Sequence, residues 1–140
     1  MPAHIFIAED ETSIITLLKY NLEKESYKVS FCENGEQALK QIKDKHPDLI
    51  LMDWMLPDLS GVEVCKNLKK DNKYNDIPII MLTAKGEEED KLRAFDTGAD
   101  DYVTKPFSQK ELNARIKSLL RRSKPQSSVD VVEFTDLKID

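Results

Sequence analysis

Four short apolar runs in this chain each lead into a polar residue. The runs cover residues 5–8, 49–52, 79–82 and 102–104. They are followed in turn by Glu9-Asp10, Asp53, Thr83 and Lys105. Short apolar runs are typical of buried parallel strands, and an open parallel sheet binds its ligand beyond the carboxyl ends of its strands. The pattern therefore predicts that three carboxylates, one hydroxyl and one ammonium meet in a single crevice.

Strands and helices are predicted to alternate over residues 4–122. The expected strands cover residues 4–8, 28–32, 49–53, 79–82 and 101–104, and the expected helices 12–25, 34–46, 60–70, 87–97 and 108–122. Three helix starts carry capping boxes, formed by Asn34 and Gln37, Ser60 and Glu63, and Ser108 and Glu111. This alternation predicts an α/β fold, a flavodoxin-like (βα)5 doubly wound sandwich with a five-stranded parallel sheet in the order 2-1-3-4-5.

Composition limits the classes of function. The chain has 140 residues, a net charge of −5 and no long basic block, so by itself it is a poor candidate for binding nucleic acid. Cys32 and Cys65 have no metal-site spacing and are expected to be buried thiols in a reducing compartment. Neither a signal-type segment nor an apolar run of about 18 residues is present. We therefore expect a soluble cytoplasmic protein that does not bind membranes.

The chain changes character after residue 122. Residues 1–122 are predicted to form one domain, and residues 123–130 read as a polar linker. Residues 131–140 begin to resemble a strand, which is too short to be stable alone. We expect this stretch to be the start of a second, truncated domain.

The clustered carboxylates predict a divalent cation. Like charges a few Å apart repel by roughly 4 kcal/mol per pair at an effective dielectric constant of about 20. No histidine or cysteine lies at a matching strand end, and a set of oxygen ligands favours Mg²⁺ or Mn²⁺ over zinc. Asp10 and Asp53 are the expected direct ligands, with Glu9 acting directly or through water.

Asp53 is the best candidate for a nucleophile, because the central strand places it between the other groups. A carboxylate can attack a phosphoryl group and form an acyl phosphate. Lys105 and Thr83 would stabilise the phosphoryl oxygens by charge and by a hydrogen bond. Taken singly, each of these residues is more often a turn, a helix cap or a solvated loop residue. Their coincidence at successive strand ends favours function.

The motifs also resemble those of a known family. They are Glu9-Asp10-Glu11, Asp53 followed by Pro57 and Gly61, Thr83-Ala84-Lys85 and Lys105-Pro106-Phe107. Over residues 4–122 they resemble the receiver domain of bacterial two-component response regulators. Residues 86–90 and 97–102 resemble the OmpR/PhoB subfamily, with PhoB-type regulators the nearest match within it.

The resemblance implies a role for each matching residue. Asp53 would accept a phosphoryl group from a phosphohistidine on a sensor histidine kinase, so the domain would be a phosphoacceptor and not an enzyme with a separate substrate. Glu9, Asp10, Asp53 and the backbone carbonyl of Met55 would hold Mg²⁺. Thr83 and Lys105 would bind the phosphoryl oxygens.

The resemblance also implies a switch and an output. Pro106 would follow a cis peptide bond, and Tyr102 would turn inward when Thr83 moves towards the phosphoryl group. Phosphorylation would drive a homodimer through the fourth helix, the fifth strand and the fifth helix. The residues implied at that interface are Lys91, Leu92, Phe95, Asp96, Asp101, Glu111, Ala114, Arg115 and Lys117. Promoter DNA would be bound only by the winged-helix domain that begins at residue 131.

Three other classes of protein share part of this pattern. A phosphatase of the haloacid dehalogenase type needs a second acid two residues after Asp53, where this chain has Met55. A flavodoxin-like FMN protein needs a glycine- and hydroxyl-rich phosphate loop, whereas Glu9-Asp10-Glu11 would repel phosphate. A stand-alone receiver that docks on another protein would not need the linker and strand after residue 122.

Overall fold

The computed structural model describes residues 2–84 and 98–123. Its strands are β1 (His4–Ala8), β2 (Lys28–Cys32), β3 (Leu49–Asp53), β4 (Ile79–Ala84) and β5 (Asp101–Lys105). Its helices are α1 (Thr12–Lys24), α2 (Gly35–Lys45), α3 (Gly61–Lys70) and α4 (Gln109–Ser123). The helix predicted over residues 87–97, most of the predicted linker and the predicted second-domain strand lie outside the described residues.

The five strands form one parallel sheet in the order β2-β1-β3-β4-β5. This confirms the predicted fold and strand order. β1 and β3 are neighbours in the sheet but are separated in sequence by β2 and α2, so the strand order reverses between them. Glu9-Asp10 and Asp53 therefore follow two adjacent strands at the switch point.

The sheet is buried on both faces, because residues along each strand alternate between two apolar clusters. One face packs on α2 and α3 and includes Phe6, Ile50, Met52 and Met81. The opposite face packs on α1 and α4 and includes Ile7, Leu51, Ile80 and Val103. Burial on both faces explains why these strands read as continuous apolar runs and not as alternating ones.

All three predicted helix caps make their side-chain hydrogen bond. The backbone N–H of Gln37 donates to Asn34 Oδ1 at 2.8 Å, and that of Glu63 donates to Ser60 Oγ at 3.3 Å. The N–H of Glu111 donates to Ser108 Oγ at 3.2 Å. These bonds satisfy N–H groups that have no partner within the first helical turn.

The ends of the last two strands differ from the prediction. β4 continues through Thr83 to Ala84, and β5 includes Lys105, so these two site residues lie within strands. The extension has a physical cause, since Thr83 pairs with Thr104 and Ala84 with Lys105 in parallel register. The ladder thus fixes the backbone under both functional side chains.

Both cysteines are buried thiols that form no disulfide, as expected. Burial raises the pKa of the Cys32 thiol to about 11, so this sulfur is protonated and unreactive at neutral pH. Among residues 2–84 and 98–123, no helix has the length and hydrophobicity needed to cross a membrane.

Candidate functional site

Asp53 is the central side chain of the site. It ends the fully buried strand β3 and is only 6% exposed. Its Oδ1 atom lies 3.3 Å from Lys105 Nζ and accepts a hydrogen bond from the Met55 N–H at 3.4 Å. The carboxylate is therefore held from two sides at the carboxyl edge of the sheet.

Glu9 lies beside Asp53 and is more deeply buried, at 1% exposure. Its Oε1 atom is 3.0 Å from Lys105 Nζ, and its Oε2 atom accepts a hydrogen bond from the Glu11 N–H at 3.1 Å. Asp10 is exposed at the mouth of the site. One carboxylate oxygen from each of Glu9, Asp10 and Asp53 lies within 4.8 Å of the other two, so the predicted acidic cluster is formed.

Burial controls the protonation of this cluster. The pKa of Glu9 is raised to about 7, mainly by burial and then by the negative charge of Asp53, while Lys105 opposes the shift. Burial also raises the pKa of Asp53, although Lys105 opposes that shift. Burial by itself would lower the pKa of Lys105, but its hydrogen bond to Glu9 and the charge of Asp53 reverse the direction.

The cluster fits a small divalent cation. The ammonium of Lys105 contacts two buried carboxylates, and Asp10 adds a third carboxylate beside them. Carboxylate oxygens are preferred ligands of Mg²⁺, which keeps several of its waters and takes few protein ligands. Residues that could hold it are Glu9, Asp10, Asp53 and, through its backbone carbonyl, Met55.

Thr83 supplies a hydroxyl near the end of β4. The residue is 1% exposed, and its Oγ1 atom has no hydrogen-bond partner in the part of the chain that the structure describes. An unsatisfied buried hydroxyl costs roughly 1–3 kcal/mol. An oxyanion bound beside Asp53 is one acceptor that would remove this cost.

Two further predicted residues flank these groups on β5. The Lys105–Pro106 peptide bond is cis, the isomer that the resemblance implies. Tyr102 is half-buried against the cluster that includes Met81, its partner in register. Side chains two residues apart point to the same face of a sheet, so Thr83 and Tyr102 lie on one face, on neighbouring strands.

The predicted dimer residues are only partly described. Lys91, Leu92, Phe95 and Asp96 lie outside the described residues. Glu111, Ala114 and Lys117 are exposed on α4, and Asp101 and Arg115 are half-buried.

Those charges also pair within one chain. Arg115 Nη1 lies 2.7 Å from both oxygens of Asp101, and Arg115 Nη2 lies 3.0 Å from Glu111 Oε2. Lys117 Nζ lies 3.6 Å from Glu25. The described part of this face therefore carries charged side chains that form ion pairs within the chain.

Sequence reasoning missed the backbone donors of the site. The N–H groups of Glu11 and Met55 each bind a carboxylate two residues earlier in the chain, on Glu9 and Asp53. For Asp53 the spacing is that of an Asx turn, in which a side-chain oxygen accepts from the N–H two residues on. The Asx-turn pattern was therefore the sequence signal from which the Met55 donor could have been predicted.

Comparison with known proteins identifies the family. A model of the response regulator receiver domain matches residues 5–117, which include β2 to β5, all of β1 except His4, and the acidic cluster. The chain belongs to this family. The observed parallel sheet and the acidic edge are those of a receiver domain.

Two curated relatives confirm the predicted subfamily. The alkaline phosphatase synthesis transcriptional regulatory protein PhoP of Bacillus subtilis is 53% identical over 123 residues, which are 88% of this chain and 50% of the relative. The phosphate regulon transcriptional regulatory protein PhoB of Escherichia coli is 46% identical over 140 residues, which are 100% of this chain and 61% of the relative. The chain thus spans little more than half the length of these relatives.

One solved receiver domain bears on the acidic cluster. The receiver domain of sensor histidine kinase PA1611 from Pseudomonas aeruginosa has a magnesium ion coordinated in its active-site cleft. It is 28% identical to this chain, with a TM-score of 0.80, over 86% of this chain and 99% of that one.

Proposed function

We propose that this receiver domain accepts a phosphoryl group on Asp53 from a sensor histidine kinase, in a reaction that requires Mg²⁺. One observation carries the proposal. A buried carboxylate, a buried hydroxyl and an ammonium meet at the carboxyl edge of the sheet, beside two more carboxylates. This set suits an oxyanion and its counter-ion.

The transfer exchanges one bond to phosphorus for another. An Asp53 oxygen attacks phosphorus, the bond from phosphorus to the histidine nitrogen breaks, and that nitrogen keeps the electron pair. Asp53 must be ionised to attack, and burial opposes ionisation. Lys105, 3.3 Å away, favours the charged form, and the Thr83 hydroxyl donates to a phosphoryl oxygen in the product.

Mg²⁺, held by Glu9, Asp10, Asp53 and the Met55 carbonyl, would neutralise charge that develops on the phosphoryl oxygens. Mn²⁺ has the same preference for oxygen ligands and would substitute for it. The remaining positive charge comes from Lys105. Catalysis by the domain would be limited to its own phosphorylation and dephosphorylation.

Phosphorylation would then change the dimer face through side chains on the neighbouring strands β4 and β5. Thr83 moves towards the phosphoryl group, and Tyr102 on the same face of the sheet fills the space that Thr83 leaves. A homodimer would form through residues 87–97, β5 and α4, using Lys91, Leu92, Phe95, Asp96, Asp101, Glu111, Ala114, Arg115 and Lys117. Arg115 would exchange its partner Asp101 for the same residue on the second copy.

The full-length protein would be a cytoplasmic transcription regulator. Support comes from the relatives PhoB and PhoP, which are named as transcriptional regulatory proteins. DNA binding would belong to a winged-helix domain that begins at about residue 131, after the linker at 123–130. Dimerisation would place two such domains on one promoter.

Labelling by a small phosphodonor tests the assignment of Asp53. We expect Asp53→Ala to abolish Mg²⁺-dependent labelling, measured as intact mass. Asp44→Ala, which changes an exposed aspartate on α2, is the matched control and should label normally. Full labelling of the Asp53 variant would refute the assignment.

Sedimentation tests the proposed output. Beryllofluoride with Mg²⁺ mimics the phosphoryl group and should shift the protein from monomer towards dimer. Phe95→Asp should prevent this shift without preventing beryllofluoride binding. A wild-type protein that stays monomeric at high concentration, with beryllofluoride bound, would contradict the proposal.

A further inference from the structure

The turn between β2 and α2, residues 32–35, contacts both segments that carry the acidic cluster. On one side, the Cys32 carbonyl accepts a hydrogen bond from the Glu9 N–H at 3.1 Å. On the other side, the Gly35 N–H donates to the Pro57 carbonyl at 3.2 Å. We call residues 32–35 the β2–α2 turn.

The second contact fixes the middle of the loop that follows Asp53. The ends of that loop are held separately, since the Trp54 N–H donates to the Leu82 carbonyl and the Gly61 N–H to the Trp54 carbonyl. Pro57 and Leu59 lie between these anchors, against the start of α2. The loop also carries Met55, whose N–H binds Asp53 and whose carbonyl is the proposed backbone ligand.

Gly35 permits this contact because it has no side chain. A Cβ atom at this position would overlap the Leu59 carbonyl oxygen and would lie 2.9 Å from Leu59 Cβ. Those groups are backbone or close to it, so the loop as a whole would have to move. Close backbone approach of this kind is a characteristic use of glycine.

The turn is itself held rigidly. The Cys32 thiol donates to the Asn34 carbonyl at 3.4 Å, and Asn34 caps α2 through the Gln37 N–H. Cys32 and Gly35 are buried. A rigid element in contact with two ligand-bearing segments sets the distance between them.

We propose that the β2–α2 turn is a positioning element for the divalent-cation site, with Gly35 as the residue on which it depends. It holds Glu9 through Cys32 and the Met55 loop through Pro57 and Leu59. Groups that orient metal ligands without touching the metal typically change affinity by about 10- to 100-fold when they are mutated. This inference rests on the proposed function, because it concerns the same Mg²⁺ site.

Titration with Mg²⁺ alone tests the inference. Trp54 is the single tryptophan of the chain and follows Asp53 directly, so its fluorescence reports metal binding. The metal-induced rise in Tm provides a second measurement. We expect Gly35→Ala to weaken Mg²⁺ binding roughly tenfold. Ile42→Val removes a buried methylene group from the same helix, away from the loop, and should leave the affinity unchanged.

Amide exchange of the wild-type protein keeps the test decisive if Gly35→Ala does not fold. The Gly35 N–H donates to the loop, whereas the His46 N–H donates to Ile42 at the other end of α2. Mg²⁺ should therefore slow hydrogen exchange of the Gly35 N–H more than that of the His46 N–H. Equal Mg²⁺ affinity of Gly35→Ala and wild type, or no change at Gly35, would overturn the inference alone. Absence of Mg²⁺ binding by the wild-type protein would overturn the proposed function as well.

Discussion

Replacement of Glu9 by glutamine should stabilise the metal-free protein above neutral pH. Glu9 is 1% exposed, and burial raises its pKa from an ordinary value of 4.5 to about 7. Since each tenfold change in the dissociation constant corresponds to about 1.4 kcal/mol, the ionised form costs the folded state about 3 kcal/mol. That cost already includes the opposing attraction of Lys105 Nζ, 3.0 Å away. Glutamine removes the cost but buries an amide group in place of a carboxyl group. We therefore expect a net gain of about 1–2 kcal/mol at pH 8.

The gain should depend on pH with a definite sign. Between pH 4.5 and 7 the folded state retains the Glu9 proton that the unfolded state has lost, so the free energy of unfolding of the wild-type protein falls as pH rises. Below pH 4.5 both states are protonated and the penalty disappears. The advantage of Glu9→Gln should therefore shrink to less than about 1 kcal/mol at pH 5.

Urea denaturation at pH 5 and pH 8, in EDTA and in Mg²⁺, measures these differences. Glu33→Gln changes an exposed carboxylate nearby and is the matched control. A ligand at 100 times its Kd adds about 2.7 kcal/mol to the stability of the form that binds it, so Mg²⁺ should favour wild type and reduce or reverse the order. An advantage of Glu9→Gln that is the same at both pH values would refute the argument from burial.

Two other substitutions separate buried from exposed charge. Lys105→Met removes the ammonium that contacts both Glu9 and Asp53. In urea denaturation at pH 8 without metal, it should lower the free energy of unfolding by about 2–4 kcal/mol. An equal loss at pH 5, where Glu9 is protonated, would contradict this prediction. Arg115→Ala breaks ion pairs to Asp101 and Glu111 whose side chains are 22–52% exposed, and should cost only about 0.5–1 kcal/mol, less at high salt. A decrease in the free energy of unfolding of more than about 2 kcal/mol would show that Arg115 stabilises the fold by more than these two exposed ion pairs.

Much of the fold followed from local patterns. The bounds predicted for β1, β2 and β3 match the structure. β1 and β3 are short apolar runs, whereas β2 alternates polar and apolar residues. The caps at Asn34, Ser60 and Ser108 were predictable because a cap depends on residues three apart. The ends of β4 and β5 were not, since the pairing of Ala84 with Lys105 is a contact between distant parts of the chain.

The site followed from topology more than from any single residue. Parallel strands bring their carboxyl ends to one edge, so Glu9, Asp53, Thr83 and Lys105 had to converge once the strand order was known. The sequence did not predict how deeply Glu9 is buried, or that the ammonium of Lys105 contacts both Glu9 and Asp53. It also did not predict the approach of Gly35 to Leu59, because that contact depends on how α2 and the loop after β3 pack together.

Charge at the edge of the sheet connects these results. When all are ionised, the three clustered carboxylates and Lys105 sum to −2, so a divalent cation brings the cluster to neutrality. The proposed phosphorylation of Asp53 would then replace one negative charge by roughly two, next to the buried hydroxyl of Thr83 and the ammonium of Lys105. A site that were already neutral would gain less from the cation. In the proposed function, this excess of negative charge in the metal-free cluster would make the domain responsive to Mg²⁺ and to the phosphoryl group.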